Sequence, residues 1–500
     1  MTVTSIAAQT AIAVQRLTDM RAQFNDLQRQ LSTGQKSATY AGLGLNRGVT
    51  VSLNAQLSAI DGYNNTITNV MTRIDLMNNA LSNMTDLGST VKAAMAQAPQ
   101  GADGLGVALA QQTGQNALDQ LLSLLNSRAG DHYLFSGRAT DQPAVETLSH
   151  ILDGDGAKAG LKQLISERNQ ADLGTSGLGR LALSTPTATS VQVDEDAVSP
   201  FGFKLASVTS NLTNATVSGP SGSPASLTVD FSGGNPSDGD AITLRFTLPD
   251  GTSENLTLTA TTASPPGANQ FTIGASAAAT TTNFQNALTS ALGTLAATSL
   301  TAASAVAASS DFFNADASNP PQRVNGPPFD TATSMVAGTT ANTVIWYTGE
   351  TGTDPARSTA TARIDPSLVV SYGARASEEG IRTLVQNTAT LAALSISSSD
   401  PNADGLSAAL DQRLTANLSP TAGGQTITDI ATALATAQTS LDAAKTRHQQ
   451  TAATLNDLLQ EVAGVSNEDV GARMLALQTR MQASMQTTAL LFQTSLVNYL

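Results

Sequence analysis

The stretch from Ile60 to Met95, IDGYNNTITNVMTRIDLMNNALSNMTDLGSTVKAAM, decides the fold of this chain. Its apolar residues recur at intervals of three and four: Ile60, Tyr63, Ile67, Val70, Ile74, Met77, Leu81 and Met84, followed by Val91 and Met95. This spacing keeps one apolar seam on one side of an α-helix. The stretch therefore predicts a long helix that packs along a partner helix, as in a coiled coil or a helical bundle.

Shorter heptad segments lie at both ends of the chain. The first carries Leu17, Met20, Phe24, Leu27 and Leu31, and it is broken by STGQK at Ser32–Lys36 and by the Gly-rich AGLGLNRG at Ala41–Gly48. A third helix carries Leu118, Leu121, Leu122 and Leu125. Near the other end, one helix carries Ile427, Ile430, Leu434, Leu441, Leu455, Leu458 and Val462. After the break GVSNEDVG at Gly464–Gly471, the last helix carries Met474, Leu477, Met481, Met485, Leu491, Phe492 and Leu496.

Between the two helical ends the pattern changes to a period of two with turn residues. The segment from Ser226 to Ala260 predicts short strands with a Pro-Asp-Gly turn at Pro249–Gly251. NTVIWYTGE (Asn342–Glu350) and ARIDPSLVVSYG (Ala362–Gly373) predict further strand pairs, whereas Leu300–Ser310 is compatible with a helix or with a low-complexity connector. The fold class predicted is α+β, with a long antiparallel helical bundle or coiled coil formed by both chain ends and an inserted, mostly β outer region.

Three divisions follow from these patterns. Terminal helices are predicted at 1–35 and 466–500, a helical rod at 36–140 and 380–465, and the inserted β-rich outer region, in one or two lobes, at 141–379. The terminal seams have no evident partner of their own, so we expect these helices to fold against other subunits.

Charge follows the same division. The chain has a net charge of −14, and residues 131–400 carry 12 basic and 24 acidic groups, which is −12 of that total. This acidity argues against nucleic acid and anionic membranes as partners. There is no Cys, which excludes disulfides and thiolate metal sites. The sequence lacks a run of eighteen apolar residues and a Sec-type signal, so we expect no membrane span and no cleaved leader.

DHYLFSGRATDQPAV, at Asp131–Val145, stands where the third helix gives way to the insert. Tyr133 and Phe135 would point to one side of an extended stretch and Leu134 to the other, before Gly137 and Pro143 end regular structure. We therefore predict that Tyr133, Leu134, Phe135 and Gly137 form a joint between the helical wall and the insert. The alternative is a small apolar plug or a surface turn.

Several of these motifs resemble the bacterial flagellin family of flagellar axial proteins. LQRQLSTGQK (Leu27–Lys36) is similar to the N-terminal pattern of that family, and Glu468–Leu500 is similar to its C-terminal helix. Gly130, Tyr133, Leu134, Phe135 and Gly137 resemble the Gly-x-Tyr-Leu-Phe-x-Gly motif of hook-associated junction members, with His132 as one extra residue. Phe271–Leu288 resembles a small module inserted in some members. The resemblance covers about 1–145 and 375–500; SATYAGLG (Ser37–Gly44) departs from it, where many members carry Asp-Asp.

The resemblance implies a structural subunit that links the flagellar hook to the filament, with flagellin, the filament subunit itself, as the alternative. It implies leaderless export by the flagellar type III system, an extracellular location on the bacterial flagellum, and a homo-oligomeric ring or helical tube. Its implied partners are other hook-associated proteins, flagellin, and an export chaperone on the C-terminal helix. Subunit contacts would fall on Leu17, Phe24, Leu27, Leu31, Leu477, Met481, Leu491, Phe492 and Leu496.

No motif predicts catalysis, a cofactor or a bound metal. His132, His150 and His448 fall on three separate segments, and GLGLNRG lacks the preceding strand that a phosphate loop requires. Asp153 and Asp155 fit a polar turn or a weak cation site without the bidentate Glu of a calcium loop. Two other classes of protein stay open: a coiled-coil protein of another export machine, such as a translocator or adhesin, and a hydrolase carried in the insert.

Overall fold

The computed structural model describes residues 3–98, 105–397, 399–419 and 423–497. It is 54% helical and 17% strand, which confirms a mixed α+β protein. The helices are α1 (Val3–Thr33), α2 (Arg47–Gln97), α3 (Leu105–Leu125), α4 (Leu148–Asp153), α5 (Leu161–Leu173), α6 (Ala277–Leu295), α7 (Thr301–Asn314), α8 (Glu379–Ala393), α9 (Ala403–Asn417), α10 (Ile427–Ala463) and α11 (Asn467–Val497).

The strands are short and lie mostly between α5 and α6. They are β1 (Arg128–Ala129), β2 (His132–Tyr133), β3 (Leu181–Thr187), β4 (Ser190–Glu195), β5 (Lys204–Ser210), β6 (Thr216–Ser221), β7 (Ser226–Asp230), β8 (Ala241–Thr247), β9 (Ser253–Thr261), β10 (Gln270–Thr272), β11 (Gln322–Val324), β12 (Met335–Ala337), β13 (Thr361–Asp365) and β14 (Leu368–Ser371).

The chain divides into two compact units. The terminal unit comprises Met1–Met71, Ala362–Val370 and Gln438–Leu500, and the central unit comprises Thr72–Thr361 and Ser371–Ala437. The long helices α2 and α10 each contribute residues to both units. The division predicted from the sequence, into terminal helices, rod and insert, stays a prediction.

The terminal unit is built from helices held by narrow apolar seams. Leu53 and Ile60 of α2 cluster with Leu455 of α10, with three partly buried apolar neighbours around them. His448 of α10, which is 6% exposed, lies 5.8 Å from the ring of Tyr63 between centroids. Its Nδ1 lies 3.3 Å from Oδ1 of Asn64. His448 is therefore a packing residue of this seam.

The core of the central unit lies around two four-stranded sheets. One sheet has the strand order β3-β4-β7-β6 and the other β10-β9-β8-β5. Both contribute alternate residues to a single cluster of buried side chains, and α6 adds Phe284, Leu288 and Leu292. All the pairings are antiparallel except that of β10 with β9, which is parallel. The turn predicted at Pro249–Gly251 is confirmed, since Leu248 N–H donates to Thr252 O at 2.8 Å.

Helices form more of the insert than the predicted mostly β region allowed. The segment at Leu300–Ser310, compatible with a helix or a connector, lies in a π-helical turn (Ala296–Leu300) and in α7. By length and composition, Ala277–Asn314 could cross a membrane. However, 61% of its most apolar 18-residue stretch is buried inside the protein. Because α7 is covered on nearly all sides, its sequence shows no polar stripe from which a helical period could be read.

Two other strand predictions had different outcomes. The hairpin predicted at Ala362–Gly373 is confirmed by β13 and β14. Asn342–Glu350 was predicted as a strand pair, which is wrong, because it makes only isolated bridges from Thr343 to Ala159 and from Tyr347 to Val145. Its side chains fill the interior instead: Trp346 is 1% exposed and donates Nε1–H to Phe313 O at 2.9 Å.

Candidate assembly surface

Helices α1 and α11 contact each other within the terminal unit. The side of α1 that carries Leu17, Met20, Phe24 and Leu27 is half-buried, at the predicted intervals of three and four. On α11, Leu477 is buried at 7% exposure, and Met474 and Met481 are half-buried. These seam positions are covered, whereas Met485, which was also predicted to lie on the seam of α11, is 49% exposed.

Backbone hydrogen bonds join the two helix breaks. Lys36 N–H donates to Ala463 O at 2.8 Å, and Val465 N–H donates to Gly34 O at 3.0 Å. The Lys36 ammonium also donates to Val462 O at 2.8 Å, where it satisfies a free carbonyl at the end of α10. The end of α1 thus lies beside the start of α11, so the two helices run antiparallel.

This pairing corrects the expectation that the terminal seams lack a partner. Each seam has a partner in the same chain, and that partner is the helix at the opposite chain end. The structure shows contacts between α1 and α11. A long bundle or coiled coil formed by both chain ends stays a prediction.

The pairing leaves large apolar side chains on the surface of both helices. Ile12 and Val14 of α1 are 53% and 59% exposed, and Leu475 and Leu490 of α11 are 67% and 60% exposed. A pair of helices covers only one side of each member, so these side chains on the other sides stay exposed. Leu31, predicted as a contact, is 41% exposed. Leu491, Phe492 and Leu496 lie on α11, but their side chains are outside the described residues.

Charges are absent from the sequence of one end of this helix pair. Residues 1–15 contain no Asp, Glu, Lys, Arg or His, and neither do residues 481–500. Because α1 and α11 run antiparallel, the start of α1 and the last part of α11 lie at the same end of the pair. The charged side chains, such as Asp26, Arg29 and Arg473, lie towards the breaks, where Arg29 holds the pKa of Asp26 below its usual value. We call residues 3–15 and 481–497 the charge-free end.

The second predicted site, the joint, lies in the central unit. Phe135 is fully buried, Leu134 is 8% exposed and Tyr133 is half-buried with the Arg128 guanidinium 4.6 Å from its ring centroid. Ala376 N–H donates to Phe135 O at 2.8 Å, and Gly137 N–H donates to Ala374 O at 3.1 Å. The stretch is therefore covered on both sides and pinned to the segment that precedes α8. That it fixes an angle between wall and insert stays a prediction.

The backbone conformation at Gly137 favours glycine. Its φ is +66°, and a Cβ added there would lie 2.6 Å from Oε2 of Glu350. Glu350 accepts the Arg138 backbone N–H at 2.8 Å, and its Oε1 lies 3.4 Å from Nη2 of the buried Arg375. Hydrogen bonding by Asp354 and the nearby charge of Glu350 raise the pKa of Arg138. Arg138 lies more than 200 residues before Glu350 and Asp354 in the chain, so no local sequence pattern predicts this ion cluster.

Groups suited to chemistry are dispersed. Nδ1 of His150 lies 2.9 Å from Glu146, and Nδ1 of His132 lies 3.0 Å from the Thr140 hydroxyl. Asp153 pairs with Lys162 at 2.7 Å, and Asp155 closes a tight turn with Lys158. Burial raises the pKa of Tyr347 to about 12, so this phenol stays protonated at neutral pH. Within the described ranges, no group of three or more His, Asp or Glu side chains could hold a metal ion.

In comparisons with known proteins, no family model matches the chain, and no curated protein matches its sequence.

Proposed function

We propose that this chain is a structural subunit of the bacterial flagellum, a hook-associated protein that links hook to filament. The observation that carries the proposal is the charge-free end, together with the exposed apolar side chains of α1 and α11. Neighbouring copies could bury these side chains without desolvating an ion, which is the composition expected at the core of an obligate interface.

The order of elements agrees with this proposal. Both chain ends form long helices, and the acidic, sheet-containing part lies between them in the sequence. We propose that the terminal helices line an inner tube, that the inner helices form the wall, and that the sheets face outward. The subunits would form a ring or a helical tube by homo-oligomerisation, without a nucleic acid, a membrane or a cofactor.

The remaining parts of the proposal rest on the sequence motifs. The junction type is favoured over filament flagellin by the motif residues Gly130, Tyr133, Leu134, Phe135 and Gly137, of which Leu134, Phe135 and Gly137 are buried. Export would use the flagellar type III system without a cleaved signal, and an export chaperone would cover the C-terminal helix before secretion. The neighbours in the flagellum would be other hook-associated proteins and flagellin. No enzymatic activity is proposed.

Deletion of the gene in its source organism tests the proposal. The expected cells are non-motile, carry hooks without filaments and release flagellin monomers into the medium. Expression of the wild-type protein should restore filaments, whereas a variant with Leu475→Asp and Leu490→Asp should not. Normal filaments in the deletion strain would contradict both the junction and the filament forms of the proposal.

A further inference from the structure

A second uncharged region lies in the central unit. From Asn255 to Ser310 the sequence contains no Asp, Glu, Lys, Arg or His, although it lies within the acidic part of the chain. Burial explains α7, but not the loop 262–269 or the outer side of α6, which are exposed. The exposed surface of an acidic protein usually carries charged side chains, which keep it soluble. Burial does not explain why this exposed surface has none, so we looked for a ligand that it would suit.

This neutral surface encloses a groove between α6, the loop and the edge of the sheet at β10. Its volume is about 640 Å³, within the ~300–1,000 Å³ range of small-molecule clefts. Amides of Asn255, Asn269 and Asn286 and the hydroxyls of Ser290 and Thr294 line it, and Phe271 lies at its base. Among the described residues that line the groove, none is charged.

The groove is pre-formed by its own hydrogen bonds. Gly267 N–H donates to Oε1 of Gln270 at 2.9 Å, and Thr259 N–H donates to Asn269 O at 3.0 Å, which fix the loop. Nδ2–H of Asn283 donates to Thr272 O at 2.8 Å, which ties α6 to β10. The loop and α6, which form the walls of the groove, therefore need little reordering of their backbone when a ligand binds.

We propose that this groove binds an uncharged, hydroxyl-rich saccharide. Amide and hydroxyl side chains both donate and accept, as sugar hydroxyls do, whereas the lack of charge removes the means to hold phosphate, carboxylate or a cation. Small apolar side chains between the amides suit the C–H faces of a sugar ring. This inference stands apart from the flagellar proposal, because it concerns the central unit alone.

Saturation-transfer-difference NMR on the full chain tests it, with maltotriose, cellotriose and chitotriose as probes. We expect transfer to at least one probe, with a dissociation constant of about 1 mM. The variant with Asn255→Ala and Asn286→Ala should weaken that binding at least about fivefold, because two hydrogen bonds are lost. Thr289→Ala, an exposed position of α6 that does not line the groove, should bind like wild type.

The fluorescence of Trp346, the single tryptophan, reports whether each variant keeps its native unfolding midpoint. Absence of transfer to all three probes in the folded wild-type protein would overturn the inference. Equal binding by the double variant would also overturn it, as would binding confined to a sulfated trisaccharide. Self-association abolished by the same two substitutions would assign the groove to a second copy of this chain and likewise overturn the saccharide.

Discussion

The terminal and central units bury apolar side chains in different ways. The sheets of the central unit and α6 enclose a cluster of more than twenty buried side chains, including Phe203, Phe231, Phe246, Phe271 and Phe284. The helices of the terminal unit bury one stripe each, and α1 and α11 leave half-buried seam residues and exposed apolar ones. The central unit thus has a core that can support its own folding, whereas the terminal unit leaves apolar surface for a partner.

Phe246→Ala tests the buried cluster of the central unit and should lower stability more than the other substitutions. Phe246 is fully buried with its ring centroid 5.0 Å from that of Phe203, so truncation should lower the free energy of unfolding of the central unit by about 3–5 kcal/mol. Urea unfolding followed by Trp346 fluorescence measures it. Val198→Ala, at a position 70% exposed, serves as the control and should change stability by about 0.5 kcal/mol or less. Equal losses in both variants would refute a distinct core.

Leu477→Asp tests the seam. A carboxylate at this buried position should cost about 3 kcal/mol or more and separate α11 from α1. Trypsin should then cut faster at Arg473 and Arg480, while the Trp346 unfolding transition stays unchanged. Leu475→Asp, at a position 67% exposed, should leave monomer cleavage unchanged and impair assembly only. Identical cleavage of the two variants would show that the seam contributes nothing.

Gly137→Ala tests a position of the central unit where the backbone has a positive φ and lies close to Glu350. The positive φ and the short approach to Glu350 should together cost about 1–3 kcal/mol, without loss of the fold. The Trp346 transition should shift, because Glu350 and Trp346 belong to one segment. Gly130 also has a positive φ, of +63°, but a Cβ added there meets nothing within 4 Å. Gly130→Ala therefore measures the cost of the backbone conformation alone, and the difference between the two variants measures the cost of the contact with Glu350. A larger loss for Gly130→Ala would show that the contact with Glu350 costs nothing.

Arg138→Ala should have the smallest effect. Its side chain is 52% exposed, and its ion pairs with Glu350 and Asp354 are accessible to salt, so we expect only a small loss of stability that salt removes. Differential scanning calorimetry at low and high salt measures the loss. A larger loss that persists at high salt would show that this ion cluster supports the central unit more strongly than its exposure suggests.

The same contrast explains what the sequence revealed. Heptads predict helices wherever one side of a helix is covered, so α2, α10 and most seam positions of α1 and α11 could be predicted from spacing alone. Leu31, Leu458 and Met485 fit the same spacing but are exposed. Helix α7 could not, because a helix covered on nearly all sides has no polar stripe. Trp346 was assigned to a strand because its neighbours are β-branched and aromatic, yet packing against Phe313 decides its conformation. The approach of Glu350 to Gly137 depends on a long-range contact, which residue spacing does not show.

We propose that this protein forms the junction between hook and filament through its terminal helices, and immunogold electron microscopy of intact flagella, with antibody raised against the central unit, tests this proposal. In wild-type cells we expect one narrow band of label at the boundary between hook and filament. In cells that produce only the Leu475→Asp and Leu490→Asp variant we expect no band. Label along the whole filament would identify a filament subunit instead, and absence of label from wild-type flagella would refute the proposal.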